Sequence, residues 1–316
     1  MRSFIIKRLL ANIPVIVCLT IIVFFIVHLI PGDPVSVMLG RNADKVVRET
    51  LIKQYGFDKP LVQQFITWVS KLVSGNWGQS LSMKQPVLNI ILERLPRTGV
   101  LCICGIFLSL LIAIPSGIIS AVKHNTMTDL NITTISLVLI SIPSFWLGII
   151  MILIFAVWIP VFPSVGFISP EKGIWNSFLS IALPIVVIAS GLAASSTRLL
   201  RTSLLEVLKE DYIMLAKTKG NPQRRILFIH ALRNAAIPVF TMVSMQLAYL
   251  LGGEVVIEKV FSFPGMGMLL INAIEKRDYP LIQGTILAFA LIVVSINLFT
   301  DIMYAAIDPR IRYDRN

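Results

Sequence analysis

The sequence predicts an all-α membrane protein with six transmembrane helices. The chain is 56% hydrophobic and 14% charged, whereas a soluble domain has about 25% charged residues. Its mean hydropathy is +0.82. A span needs about 20 mainly apolar residues to cross roughly 30 Å of hydrocarbon. The chain contains six charge-free stretches of that kind, at residues 9–30, 99–122, 130–158, 174–197, 234–253 and 280–300.

Two of these stretches need a closer assignment. The third belongs to a longer uncharged run that reaches residue 169, but Pro160, Pro163 and Gly166 interrupt its second half. Because irregular backbone is not tolerated against lipid, we predict one span there. The first stretch is too long for a signal peptide, and no small-x-small cleavage site follows it, so we predict a retained span.

The spans divide the chain into three parts. Residues 1–30 form the first span, residues 31–98 a polar insertion, and residues 99–316 a five-helix core with a basic segment at 198–233. In the insertion, 44–55 and 60–72 have helical spacing of apolar residues, and 75–78 predict a turn. The insertion is either a helical cap on the membrane surface or a docking surface for an external partner.

The distribution of Lys and Arg predicts that both termini are cytoplasmic. In this orientation the cytoplasmic segments carry fifteen basic residues and the two short external loops carry four. The nine in 31–98 are discounted because that loop is too long for the positive-inside rule. The net charge of +11 therefore requires no nucleic acid, since anionic lipid attracts basic residues at the inner face.

The sequence offers no catalytic, metal-binding or cofactor site. It lacks the G-x-x-x-x-G-K-[ST] loop that holds nucleotide phosphates, and it has no Ser–His–Asp, paired-carboxylate or His/Cys metal spacing. The span interiors are almost free of the ionisable residues that ion-coupled carriers use; His28, Glu254 and Asp301 lie near span ends. We therefore expect a non-enzymatic protein that, if it transports, depends on a separate energy source.

The basic segment at 198–233 has the form of a protein-contacting loop. It carries eight Lys or Arg residues against three acidic ones. Ala216 and Gly220 are four residues apart, which predicts a small-residue stripe open to another protein. Gly220 before Asn221-Pro222 ends a helix, because Gly caps a helix and Pro cannot continue it. A second short helix should follow. The alternative is a basic hairpin held only by lipid.

Several motifs resemble ABC importer permeases of the dipeptide, oligopeptide and nickel family. D-Y-x-x-x-A-x-x-K-G (211–220) followed by H-x-L-R-N-A-x-x-P (230–238) is similar to their coupling loop. I-P-S-F-W-L-G (142–148) resembles their third-span signature. Further similarities lie at Y-G-x-D-x-P-L (55–61), G-x-W-G-x-S (75–80), V-V-I-E-K-V-F-S-F-P-G-M-G (255–267), R-D-Y-P-L-I-Q-G (277–284) and D-P-R-I-R-Y (308–313).

The resemblance implies one permease subunit of an ATP-driven importer in a bacterial or archaeal cytoplasmic membrane. Such a subunit pairs with a second, similar permease as a heterodimer, binds two cytoplasmic ATPases and receives substrate from an extracytoplasmic binding protein. The implied ATPase-docking residues are Asp211, Tyr212, Ala216, Gly220, His230, Arg233 and Asn234. Ser144, Trp146 and Glu254 are candidates for the substrate pathway, with Glu254 alternatively an interfacial acid.

Peptide, nickel and metallophore importers share these motifs, so peptide import is the leading expectation and metal import the alternative. A secondary carrier or channel subunit would need no ATPase. A non-transporting scaffold would not explain Pro14, Pro115, Pro143 and Pro184 inside the spans, where we expect helix breaks.

Overall fold

The computed structural model describes residues 2–28, 49–50, 52, 56 and 58–307. The prediction of an all-α membrane protein is confirmed, since the β structure within these residues is limited to one isolated bridge between Gln79 and Pro86. The helices are α1 (Arg2–His28), α2 (Leu61–Val73), α3 (Val87–Val122), α4 (Met127–Ser141), α5 (Ser144–Ile152), α6 (Ile174–Val207), α7 (Asp211–Thr218), α8 (Leu232–Gly253), α9 (Val255–Val260), α10 (Met266–Glu275) and α11 (Tyr279–Ile307).

The third predicted span is broken. Five helices of the described chain are long and apolar enough to cross a membrane. Residues 144–158, which comprise α5 and a π-helical stretch at Leu153–Trp158, are bent by 97° from α4, and a sixth span results only if the two are counted together. The break lies at Ile142, whose backbone is extended, with φ −82° and ψ 125°. Its cause is Pro143, because a proline ring disfavours the helical conformation of the preceding residue.

The other prolines do not break their helices. Pro14 lies inside α1 and Pro184 inside α6, and Pro115 lies within the bounds of α3. The expectation of several broken spans is therefore wrong at these three positions. Transmembrane helices tolerate proline because neighbouring helices and hydroxyl side chains satisfy the freed backbone groups.

The polar insertion is partly described. The predicted helix at 60–72 is confirmed as α2, and the predicted turn contains Gly75 and Gly78 at φ +82° and +86°. The second span helix begins at Val87 rather than at residue 99. The predicted helix at 44–55 lies mostly outside the described residues, as does the C-terminal motif at 308–313.

The chain divides into two compact units, residues 1–98 with 264–316 and residues 99–263. In the first unit α1 packs along α11, and Arg8 forms an ion pair of 2.9 Å with Asp301. Phe65 and Trp68 of α2 pack against Phe24 of α1. The core of this unit joins the start of α3 to α10 and α11 through Val87, Ile90, Ile91, Met266, Leu269, Ala273, Leu281 and Ile282.

In the second unit α6 contacts α4, α5 and α8, and α5 also packs on α9. Gly148 of α5 permits this last contact, because a Cβ there would lie 3.1 Å from the ring of Phe261. The backbone N–H of Gly166 also donates to the carbonyl of Phe261 at 2.7 Å. The motif 142–148 is thus close-packed against Phe261, which belongs to a motif more than 100 residues later in the sequence.

Candidate functional site

The helix α7 begins and ends as the sequence predicts. Glu210 is extended, with φ −65° and ψ 146°, and Asp211 lies in the first turn, where a carboxylate is favoured by the helix dipole. The helix ends at Thr218, and Gly220 adopts φ +76°. The side chain of Asn221 then donates to the carbonyl of Ala216 at 3.0 Å. The predicted helix stop at Gly220 is confirmed.

One face of α7 is fixed to the rest of the second unit by a buried apolar cluster. Ile213 and Ala216 enter this cluster, where they join α3, α6 and α8. The prediction that Ala216 and Gly220 form an outward stripe is therefore wrong, because Ala216 shares its helix face with Ile213 and faces inward. The other buried members are Ala121, Leu200, Leu204, Ile226, Ala231, Ala235 and Val239.

The outward face of α7 carries larger side chains. Tyr212, Met214 and Leu215 expose 41%, 62% and 56% of their surface. The Tyr212 hydroxyl accepts a hydrogen bond of 2.7 Å from the side-chain amide of Asn234, so two of the implied docking residues contact each other. We call Tyr212, Met214 and Leu215 the α7 surface. Such a surface of projecting apolar side chains at a rigid helix suits a protein contact.

The second helix of the basic segment is not a separate short helix. It starts at Gln223 and continues through a π-helical stretch, Ile226–Ala231, directly into α8. His230 is half-buried in the π-helical stretch, and Arg233 is exposed in the first turn of α8. Any displacement of the basic segment would therefore act on the long helix α8 without an intervening loop.

A polar cluster that the sequence did not reveal joins Arg201 of the basic segment to α4. Asp129 of α4 is 4% exposed and accepts hydrogen bonds from Nε and Nη2 of Arg201 at 2.6 and 2.8 Å. It also accepts from the Ser120 hydroxyl and from the Asn125 backbone N–H. His124 Nδ1 lies 3.1 Å from Asp129 Oδ2. The position of Asp129 directly before a charge-free span could have indicated this cluster, because acidic residues near a span are usually paired.

A second missed cluster joins two motifs in the first unit. Asp278 is fully buried and lies in the R-D-Y-P motif. Its Oδ2 accepts hydrogen bonds from the Ser80 hydroxyl at 2.6 Å and from the backbone N–H and hydroxyl of Ser82 at 2.9 and 2.8 Å. Its Oδ1 accepts from the Leu281 N–H at 3.3 Å. The segment around Ser80 is thereby anchored to the start of α11.

The pathway candidates lie away from the α7 surface. Ser144 and Trp146 are exposed at the start of α5, directly after the break at Pro143. Glu254 directly follows α8, which has 22 residues and is therefore about 33 Å long. Glu254 thus lies at the end of α8 opposite to the basic segment, and it is half-buried. Burial raises the pKa of its carboxyl, and the nearby Glu258 raises that pKa further.

Comparison with known proteins accounts for nearly the whole chain. The family model "Binding-protein-dependent transport system inner membrane component" matches residues 113–313. The model of the N-terminal part of the same membrane components matches residues 1–102. Helix α7, the broken span and the Asp129–Arg201 cluster all lie within the first match.

Oligopeptide and glutathione permeases are among the curated relatives that match over their full length. The chain is 38% identical over 316 residues to the oligopeptide transport system permease protein AppB of Bacillus subtilis, covering 99% of this chain and 100% of the relative. It is 40% identical over 313 residues to the glutathione transport system permease protein GsiC of Escherichia coli K12, with the same coverage.

Among solved structures, the inward-facing MetNI methionine ABC transporter has a similar fold, with a TM-score of 0.58 at 18% identity. The match covers 69% of this chain and 96% of that one. Since both family models and full-length relatives agree, the chain belongs to the binding-protein-dependent transport system inner membrane components, among the ABC importer permeases of the peptide and oligopeptide family.

Proposed function

We propose that this chain forms half of the pathway by which di- or oligopeptides enter the cytoplasm, driven by separate ATPase subunits. It pairs with a second, similar permease, binds two ATPases at its cytoplasmic face and receives peptide from an extracytoplasmic binding protein. Oligopeptide and glutathione permeases among its relatives favour peptides over nickel, since glutathione is itself a tripeptide.

The observation that carries this proposal is the attachment of α7. Its inward residues are buried in the cluster with α3, α6 and α8, whereas its outward residues project. A helix held in this way moves together with the helices behind it. An ATPase that binds the α7 surface can therefore transmit its closure to the spans. In this assignment Tyr212 contacts the ATPase, Asn234 orients Tyr212, and Gly220 fixes the end of α7. Asp211, His230 and Arg233 provide polar contacts at its edge.

Leu215→Asp should strongly weaken ATPase binding and, with it, peptide uptake. The substitution places a charge on the exposed α7 surface, where truncation of one central apolar contact in an interface costs about 2 kcal/mol or more, roughly thirtyfold in affinity. Co-purification of the ATPases with the permease pair and uptake in cells measure the effect. Val73→Asp, at the end of α2, outside the predicted spans and 85% exposed, is the control and should keep the ATPases bound. Unchanged co-purification in Leu215→Asp would contradict the assignment.

Binding of the ATPases to sealed membrane vesicles tests the orientation of the chain in the membrane. With both termini and residues 198–233 cytoplasmic, added ATPases should bind sealed inside-out vesicles and not right-side-out vesicles. Residues 31–98 are then extracytoplasmic, where they provide a surface for the binding protein. The excess of basic residues in the segments assigned to the cytoplasm supports this orientation.

Glu254 is proposed to attract cationic substrates at the outer mouth of the pathway, to which we also assign Ser144 and Trp146 of the broken span. Glu254→Gln should weaken uptake of a cationic peptide severalfold at low salt and leave uptake of a neutral peptide unchanged, since only the charge is removed. Salt should reduce the difference, because it screens exposed charges over about 8 Å at physiological strength.

The raised pKa of Glu254 adds a pH dependence. Because its pKa is raised, the carboxylate becomes protonated at a higher pH than an ordinary Glu, whose pKa is about 4.3. The preference for cationic peptide should therefore fall in mildly acidic medium in the unmodified protein and stay constant in Glu254→Gln. Equal loss of cationic and neutral uptake in the variant would indicate a structural role instead.

A further inference from the structure

The Asp129–Arg201 pair, together with Ser120, joins three helices. Ser120 belongs to α3, Asp129 to the first turn of α4, and Arg201 to α6. The guanidinium binds the carboxylate through two nitrogens at 2.6 and 2.8 Å. The side chains of Asp129 and Arg201 are 5% and 22% exposed. A two-point, charge-assisted contact of this kind fixes both distance and orientation.

The apolar cluster behind α7 does not connect α4 to α6 as the ion pair does. Its buried members in the described chain come from α3, α6, α7 and the continuous helix from Gln223 through α8, and none lies in α4. Helix α4 does pack along α6, but apolar surfaces can slide past each other, whereas a forked ion pair resists sliding. Asp129 is therefore the polar attachment of α4 to the helix that leads into α7.

Helix α4 leads from this attachment to the break in the third span. Its 15 residues form a helix of about 22 Å that ends at Ser141, directly before the break at Ile142 and Pro143. Beyond the bend, α5 presents Ser144 and Trp146 and packs through Gly148 on Phe261. A displacement of Arg201 would thus reach the broken span through a rigid element.

We propose that Asp129 and Arg201 are positioning residues that carry the displacement of α7 into α4 and so into the broken span. The proposal rests on the proposed ATPase-driven function. In it, α6 moves with α7 because Leu200 and Leu204 are buried against Ile213 and Ala216. The ion pair makes α4 follow α6. Ser120, Asn125 and His124 hold the Asp129 carboxylate in place and need not contact the ATPase.

The test uses the complete transporter, with both permeases, the ATPases and the binding protein, in proteoliposomes. The measured quantity is peptide transported per ATP hydrolysed. Asp129→Asn should keep the ATPases bound and hydrolysing ATP, while transport per ATP falls at least about fivefold, the lower range of coupling between sites. Asp301→Asn is the matched control, since it breaks the more exposed Arg8–Asp301 pair, and it should keep the normal ratio.

A second variant distinguishes loss of coupling from misfolding caused by an unpaired buried charge. Asp129→Asn with Arg201→Gln removes both charges, so no unpaired charge stays buried, and it should assemble yet show the same loss of transport per ATP. The proposal is overturned if both variants keep the normal ratio, if they lose transport and hydrolysis in proportion, or if neither assembles while Asp301→Asn does. Failure of the unmodified chain to bind any ATPase would instead refute the proposed function, and this inference with it.

Discussion

Asp278→Ala should destabilise the protein by more than about 3 kcal/mol. The Oδ2 atom of Asp278 accepts three hydrogen bonds from Ser80 and Ser82, and each bond to a charged group contributes about 1.5–3 kcal/mol. Removing the carboxylate leaves these donors without their acceptor in a buried site. Thermal unfolding in detergent, followed by the loss of monodisperse protein, measures the effect.

The same variant should free the segment that Asp278 anchors. Lys84 is exposed and lies between Ser82 and Pro86, so trypsin should cleave there faster in Asp278→Ala than in the unmodified protein. Glu171→Ala, at an exposed acid in the second unit, is the control and should change stability by no more than about 0.5 kcal/mol. Equal melting and equal cleavage at Lys84 in both variants would show that the anchor contributes little.

Gly284→Ala should destabilise the first unit although alanine is the better helix former. Alanine gains about 1 kcal/mol over glycine inside a helix. A Cβ at Gly284, however, would overlap Val87 Cγ1 and lie 3.4 Å from Ile91 Cδ1. Overpacking of a filled core costs about 1–3 kcal/mol, and Val87 is completely buried, so the overlap lies inside the core. After the gain in helix propensity is subtracted, we expect a net loss of up to about 2 kcal/mol in thermal unfolding.

The matched control is Gly191→Ala in α6, where a Cβ would meet no atom within 4 Å. This variant should be neutral or slightly stabilising, because only the helix propensity changes. Combining Gly284→Ala with Val87→Ala should cost less than the sum of the two single changes, since neighbouring sites couple. Stabilisation by Gly284→Ala alone would mean that α3 and α11 are not in close contact at this point.

Local sequence patterns predicted those structural features whose physical cause lies within a few neighbouring residues. The apolar stretches located five helices long enough to cross a membrane, because each stretch must supply about 20 apolar residues by itself. The spacing of Leu61, Phe65 and Trp68 predicted α2. Gly220 before Asn221-Pro222 predicted the end of α7, since the conformation of a helix cap depends on the residues at the cap.

Proline positions alone did not locate the breaks in the spans. Pro14, Pro115, Pro143 and Pro184 look alike in sequence, yet only Pro143 coincides with a helix break among the described residues. At Pro14, Pro115 and Pro184 the helix continues. Whether a proline bends a helix depends on whether neighbouring groups satisfy the backbone it frees, and those neighbours are known only after folding.

The sequence by itself determined the class of this protein, its apolar spans, its basic segment and its family, because composition, periodicity and motif order are properties of the chain. Only the tertiary structure decided that Ala216 faces inward, that Asp129 meets Arg201 and that Asp278 meets Ser80. The last two pairs are separated by 72 and 198 residues. Such contacts depend on which helix faces are buried together, and neither residue of a pair carries that information alone.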